Sequence, residues 1–189
     1  MQGSTNQSGF SLARILQVLT GRVPQYSRSA LITRPANTTA YDAKDVIYPD
    51  VPAEGDQVKS IVLPNIAHRA GTNLFLTNVL LIDFATEATK LDATVYLFTA
   101  PLETAPVDND AFAPTAADMA NFVGKVDIPQ ANADEVGGQT VYQVPGNLVL
   151  PTTTADLHAI LVAKNAYQPV TGEQFQLAIG AMPKDMALF

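Results

Sequence analysis

Two kinds of hydrophobic spacing divide the chain. Near its start Leu12, Ile15, Leu16 and Leu19 recur at i, i+3, i+4 and i+7, which sets four aliphatic side chains on one face of a helix. Ser11 stands where an N-cap belongs and Gly21 where such a helix would end. A helix of about ten residues is marginal alone in water. It is therefore expected to lie on a surface, either that of its own domain or that of a neighbouring subunit. A membrane surface is not expected, because the stripe is short and the polar face is thin in Lys and Arg.

From residue 29 onward the pattern changes to short runs rich in Val, Ile, Thr, Phe and Tyr, punctuated by Pro, Gly, Asn and Asp. Strands are expected at 29–33, 46–48, 57–63, 73–83, 93–98, 121–128, 140–144, 157–164 and 173–181. Alternation puts Val95, Leu97 and Thr99 on one face and Thr94, Tyr96 and Phe98 on the other. It likewise sets Leu74, Leu76 and Asn78 against Phe75, Thr77 and Val79. Within the longest linker, 115–122 reads as a short helix, and Gly137-Gly138 reads as a turn. So many strands without long amphipathic helices between them argue against a parallel βαβ sheet. The expected fold is all-β, an antiparallel β-sandwich of jelly-roll type, with an extended N-terminal arm containing the short helix.

Charge sharpens the division. The net charge of the 189 residues is −7, yet residues 1–41 hold four arginines (Arg14, Arg22, Arg28 and Arg34) and no acid, +4 in all. The rest carries 18 acids against seven bases, −11. All six serines also lie within the first sixty residues. These shifts place the arm at 1–28 and the sandwich domain at 29–189. A basic arm on an acidic body suits a self-contact, a contact with a neighbouring copy or docking on another acidic protein. Nucleic acid is disfavoured, since useful affinity there takes about 6–10 phosphate contacts.

With 47% hydrophobic and 15% charged residues the chain has ample material for a core. It has no cysteine, so disulfides, thiolate metal sites and cysteine nucleophiles are excluded together. The opening residues do not read as a secretory signal. No apolar span reaches the ~18 residues a transmembrane helix needs, and the protein is expected to be soluble.

The chemistry-bearing residues form no recognisable set. His68 and His158 lie in different segments, and neither has an acid at the spacing of a metal site or a catalytic dyad; His158 reads as a core-edge histidine. Asp42, Asp45, Asp50, Glu54 and Asp56 form one acidic loop and Asp108 with Asp110 a second. Neither follows a calcium-loop pattern, and without tryptophan a sugar-stacking cleft would be poorly supplied, so both read as solvated loop charge. No Gly-x-Ser-x-Gly elbow occurs, and the serines lie in or near the arm, where no rigid scaffold would hold a nucleophile. The expectation is a protein that is not an enzyme and takes no cofactor or metal.

Two stretches carry a family likeness. Residues 29–47 contain Thr33-Arg34-Pro35, then Tyr41, then Asp45-Val46; residues 155–179 contain a strand, the turn Tyr167-Gln168-Pro169 and a final strand. This layout resembles the small β-sandwich decoration (cement) proteins of tailed-bacteriophage virions. The resemblance implies a virion component on the head surface, made in the host cytoplasm, with the major capsid protein and further copies of itself as partners. A trimer is expected over a dimer. The residues that would touch capsid or neighbour are Leu12, Arg14, Ile15, Leu16, Leu19, Arg22, Arg28 and Arg34. The likeness supplies no catalytic residues, and the arm of residues 1–28 has no match in it. A second role in the same class is a head-fibre or tail accessory module that binds a host receptor or glycan through aromatics such as Tyr142 and Tyr167.

Overall fold

A computed structural model describes residues 25–49, 59–67, 73–85 and 89–183. They form eleven strands: β1 (Gln25–Arg28), β2 (Ile32–Thr33), β3 (Val46–Ile47), β4 (Ile61–Leu63), β5 (Asn73–Asp83), β6 (Ala93–Phe98), β7 (Phe122–Ile128), β8 (Ala133–Val136), β9 (Gln139–Pro151), β10 (Leu157–Ala163) and β11 (Gln174–Pro183). A helix, α1 (Ala116–Ala120), precedes β7. One sheet runs β1-β11-β5-β9-β8, with β2 prolonging β1 along β11. The other runs β3-β10-β6-β7, with β4 prolonging β3 along β10.

Every pairing is antiparallel. With β1/β2 and β3/β4 each counted as one interrupted strand and β8 as a hairpin arm of β9, the eight principal strands order as 1-8-3-6 and 2-7-4-5. This interleaving of first with last and second with seventh is the double Greek key of a jelly roll. The expected sandwich is therefore the observed one.

The core lies between the sheets. Alternate residues of β11 (Phe175, Leu177, Ile179, Ala181) and β9 (Tyr142, Val144, Leu150) face those of β10 (Leu157, Ala159, Leu161, Ala163) and β6 (Val95, Leu97), all buried. The outer face of the second sheet is also apolar. Phe98, Ile160, Val162, Val46 and Tyr48 form a second cluster with Leu102, and Tyr96, Phe112 and Phe122 pack against it. This explains why β6 is buried on both sides: the connection between β6 and β7 folds back over it. That connection is fixed by α1. Thr115 caps the helix in a capping box with Asp118, and Asp118 Oδ1 also accepts from the Glu103 amide at 2.8 Å.

Several strand expectations need correction. Residues 25–28, assigned to the arm, pair with β11 from Gln25↔Ala181 to Arg28↔Ala178, so the sheet includes them. In β5 the alternation breaks at a bulge. Leu76 and Asn78 pair with Ala181 and Gly180 on β11, leaving Thr77 extra, so Val79 and Leu81 face the core together with Leu74 and Leu76. The edge strand β8 escapes notice because Ala-Asp-Glu-Val is polar and exposed, whereas the turn after it does not: Gly137 and Gly138 take φ of 61° and 83°, as a tight hairpin of this hand requires. Finally, β9 runs on to Pro151, well beyond the expected 140–144.

Candidate functional site

Of the eight expected contact residues, Leu12, Arg14, Ile15, Leu16, Leu19 and Arg22, together with the arm helix, lie outside the described residues. Arg28 ends β1 and is exposed. Arg34 is different: it is 1% exposed and sits inside the protein, so it is not a surface contact.

What Arg34 does instead is anchor a buried polar cluster. Thr33 ends β2, the Arg34 amide still donates to the Glu173 carbonyl at 2.9 Å, and Pro35, with no N–H to offer, stops the strand. The Arg34 side chain thereby turns inward. Its Nε donates to the Tyr41 hydroxyl, its Nη2 lies 3.3 Å from Asp108 Oδ2, and the guanidinium carbon stands 4.5 Å from the centre of the Tyr41 ring. The Tyr41 hydroxyl in turn donates a hydrogen bond to Asp108 Oδ1 at 2.6 Å, and that oxygen also accepts from the Tyr48 amide at 2.9 Å. Burial, followed by the hydrogen bond and charge of Asp108, pushes the Tyr41 phenol far above its ordinary range, so it stays a neutral donor.

The cluster reaches the far end of the chain. Tyr41 and Tyr167 exchange backbone hydrogen bonds of 2.9 and 3.1 Å and stack with ring centres 6.3 Å apart at 21°. The Tyr167 hydroxyl donates to Glu173 Oε1. The opening motif, the second acidic loop and the closing Tyr167 turn are thus fastened in one place. Asp108 is accordingly not a solvated loop charge but one half of a buried ion pair, its side chain 9% exposed. No sequence rule pairs positions 74 residues apart. The available signal was an arginine in an apolar strand context with an aspartate in a loop whose neighbours are mostly Pro, Ala and Val.

The remaining candidates have structural tasks. Ser60 Oγ lies 2.7 Å from His158 Nδ1, where the residue before β4 meets β10. Contrary to the expectation for the serines, a scaffold does hold this one. The geometry is nonetheless that of a cross-strand tie: Ser60 is 1% exposed, and the nearby Asp156 spends Oδ1 on the Asn65 amide at 2.7 Å. Burial lowers the His158 pKa, with the Asp156 charge opposing. Tyr142 and Tyr167, offered as glycan contacts, are 0% and 2% exposed, and the Tyr142 hydroxyl accepts from the Leu91 amide at 2.9 Å. They face the core because they occupy inward positions, which overturns that assignment. His68, Asp50, Glu54 and Asp56 lie outside the described residues. Among the described residues no group of three His, Cys, Asp or Glu side chains could hold a metal ion.

Fold and cluster together define a jelly-roll sandwich whose strand connections are locked by a buried Arg–Tyr–Asp network. No known protein family matches the chain, and no curated protein does. Among solved structures it is similar to one titled "Structure of Triatoma Virus (TrV)", at 14% identity over 97% of this chain and 71% of that one, with a TM-score of 0.21. A likeness at that score carries no argument here.

Proposed function

We propose that this chain is a structural component of a virus particle, specifically a decoration (cement) protein of a tailed-bacteriophage head. The observation that supports this reading is the meeting of Thr33-Arg34-Pro35, Tyr41 and the Tyr167 turn in one buried cluster. The two stretches that resemble such proteins are separate in sequence but form a single folded feature, which makes the resemblance one of a unit.

On this reading the acidic body keeps the free protein soluble, and the basic arm is what the assembly grips. The contacts are Leu12, Arg14, Ile15, Leu16, Leu19 and Arg22 in the arm and the exposed Arg28 at its root. The partners are the major capsid protein and other copies of the chain, in a trimer set by threefold sites on the head. The location is the head surface, after synthesis in the host cytoplasm. The protein performs no catalysis in this role, and it neither enters a membrane nor binds nucleic acid. Purified protein mixed with tailed-phage heads and sedimented tests the proposal: saturable binding at a fixed number of copies per head supports it, and a protein that stays in the supernatant at every ratio sinks it.

A further inference from the structure

The strand order leaves β1/β2 at the edge of one sheet and β3/β4 at the matching edge of the other. Between these edges a groove of about 360 Å³ opens, with Ala30, Leu31 and Ile32 on one lip and Ile61, Val62 and Pro64 on the other. Leu31 is 49% and Val62 39% exposed. The lips are tied beside it by Ser27 Oγ donating to the Pro64 carbonyl at 2.5 Å. Among the described residues no charged side chain lines the groove. It suits an uncharged aliphatic surface and offers nothing to a phosphate or an acidic peptide.

We propose that this groove is the seat of the chain's own aliphatic stripe, Leu12, Ile15, Leu16 and Leu19. On the free chain the stripe needs an apolar surface to lie on, and it is the chemical match of the groove. Its tether is also adequate. Six residue steps carry the chain from Leu19 to Gln25 and reach about 20 Å at ~3.3–3.6 Å each. The strand they must retrace, from Gln25 to the groove's first residue Ser29, spans roughly 13 Å. Gly21 and Pro24 lie in that link and suit a reversal. A tether this short gives an effective concentration on the order of millimolar, so in dilute solution the chain's own stripe takes the groove ahead of a second copy's. Seated there, the stripe is withheld from association until an assembly competes for it. This inference concerns the free protein and stands apart from the virion reading.

The absence of cysteine makes the test clean. Leu16→Cys is combined with Val62→Cys or with Leu31→Cys, and the pairs are oxidised at low protein concentration and followed by thiol titration and non-reducing mass. The result expected is an intrachain disulfide at monomer mass in at least one pair, forming at least about tenfold faster than in a Gln17→Cys control on the opposite helix face. Disulfide-linked dimers alone, no disulfide in either pair, or equal rates in the control would each overturn the proposal. A second measurement avoids new cysteines: a chain beginning at residue 23 is expected to bind more of an apolar fluorescent dye than the full chain. Equal dye binding contradicts the seat.

Discussion

Arg34 offers the sharpest perturbation, because its side chain is 0% exposed and its ion-pair partner Asp108 only 9%. Arg34→Met keeps the apolar stem but removes the Nε donor to Tyr41, the Nη2 contact with Asp108 and the charge over the Tyr41 ring. Asp108 would then be left with the Tyr41 hydroxyl and the Tyr48 amide and no counter-charge. Removing one member of a buried pair costs about 3–5 kcal/mol, because the remaining charge stays desolvated. For a chain of this size that corresponds to a melting point lower by roughly 6–20 °C. The pair Lys90–Glu135, 2.7 Å long, is the internal comparison from its exposed side, since Glu135 is 63% exposed while Lys90 is 16% exposed and also donates to the Thr140 hydroxyl, and Glu135→Gln should cost no more than about 1 kcal/mol. Adding Asp108→Asn to Arg34→Met removes the stranded charge while keeping an acceptor, and should restore part of the loss. Urea unfolding of the four chains decides the matter. An Arg34→Met cost no larger than that of Glu135→Gln, or a double variant weaker than the single, would show that the buried pair is not what holds this region.

Other consequences follow from local geometry. A Cβ at Gly146 would lie 2.6 Å from the Leu76 carbonyl oxygen, which is backbone, whereas at Gly180 its worst neighbour is the end of the Asn78 side chain at 2.0 Å. Gly146→Ala should therefore cost about 1–3 kcal/mol and Gly180→Ala less, as read by thermal unfolding. Burial holds the His158 pKa below its ordinary value near 6.5, so the unfolded chain binds the extra proton first as pH falls. That contribution to stability is complete above about 6.5 and is lost between there and the folded value; urea midpoints at about pH 7.5 and about pH 5 should differ less in His158→Asn than in the parent. Asp118 and Asp127 act lower on the scale. Burial opposes ionisation of Asp118 but is outweighed by the Glu103 and Thr115 amides and the Thr115 hydroxyl, and Asp127 is held low first by the Thr94 hydroxyl. Their contributions are present above about pH 4 and vanish as pH falls through the folded values, so Asp118→Ala should flatten the acid limb of the stability curve.

Much of the sandwich was legible because its strands repeat with period two. The ranges 73–83 and 93–98 match β5 and β6 at both ends, since apolar runs bounded by Asn, Asp and Thr leave little choice. Patterning could not reveal the bulge at Thr77. A bulge changes which residues face inward without changing which are apolar, and this one sits beside Gly180 and Gly146 on the neighbouring strands, where a Cβ would meet Asn78 and Leu76. The extension of β9 through Pro145, Gly146 and Pro151 was hidden for the opposite reason, because those residues normally end strands. The polar site was less legible still. Arg34 looked like one of four charges in the acid-free segment 1–41, and only the three-dimensional meeting of residues 34, 41, 108 and 167 turns it into an anchor.

The proposed grip of a tailed-phage head through the basic arm is tested most directly by comparing two chains on such heads. Because Gln25 already pairs with Ala181, the truncated chain should begin at residue 23, leaving β1 intact. Co-sedimentation is expected to show saturable binding of the full chain and the loss of most of that binding in the truncated one, with both equally folded by circular dichroism. Equal binding by the two chains, or binding by neither, would contradict it.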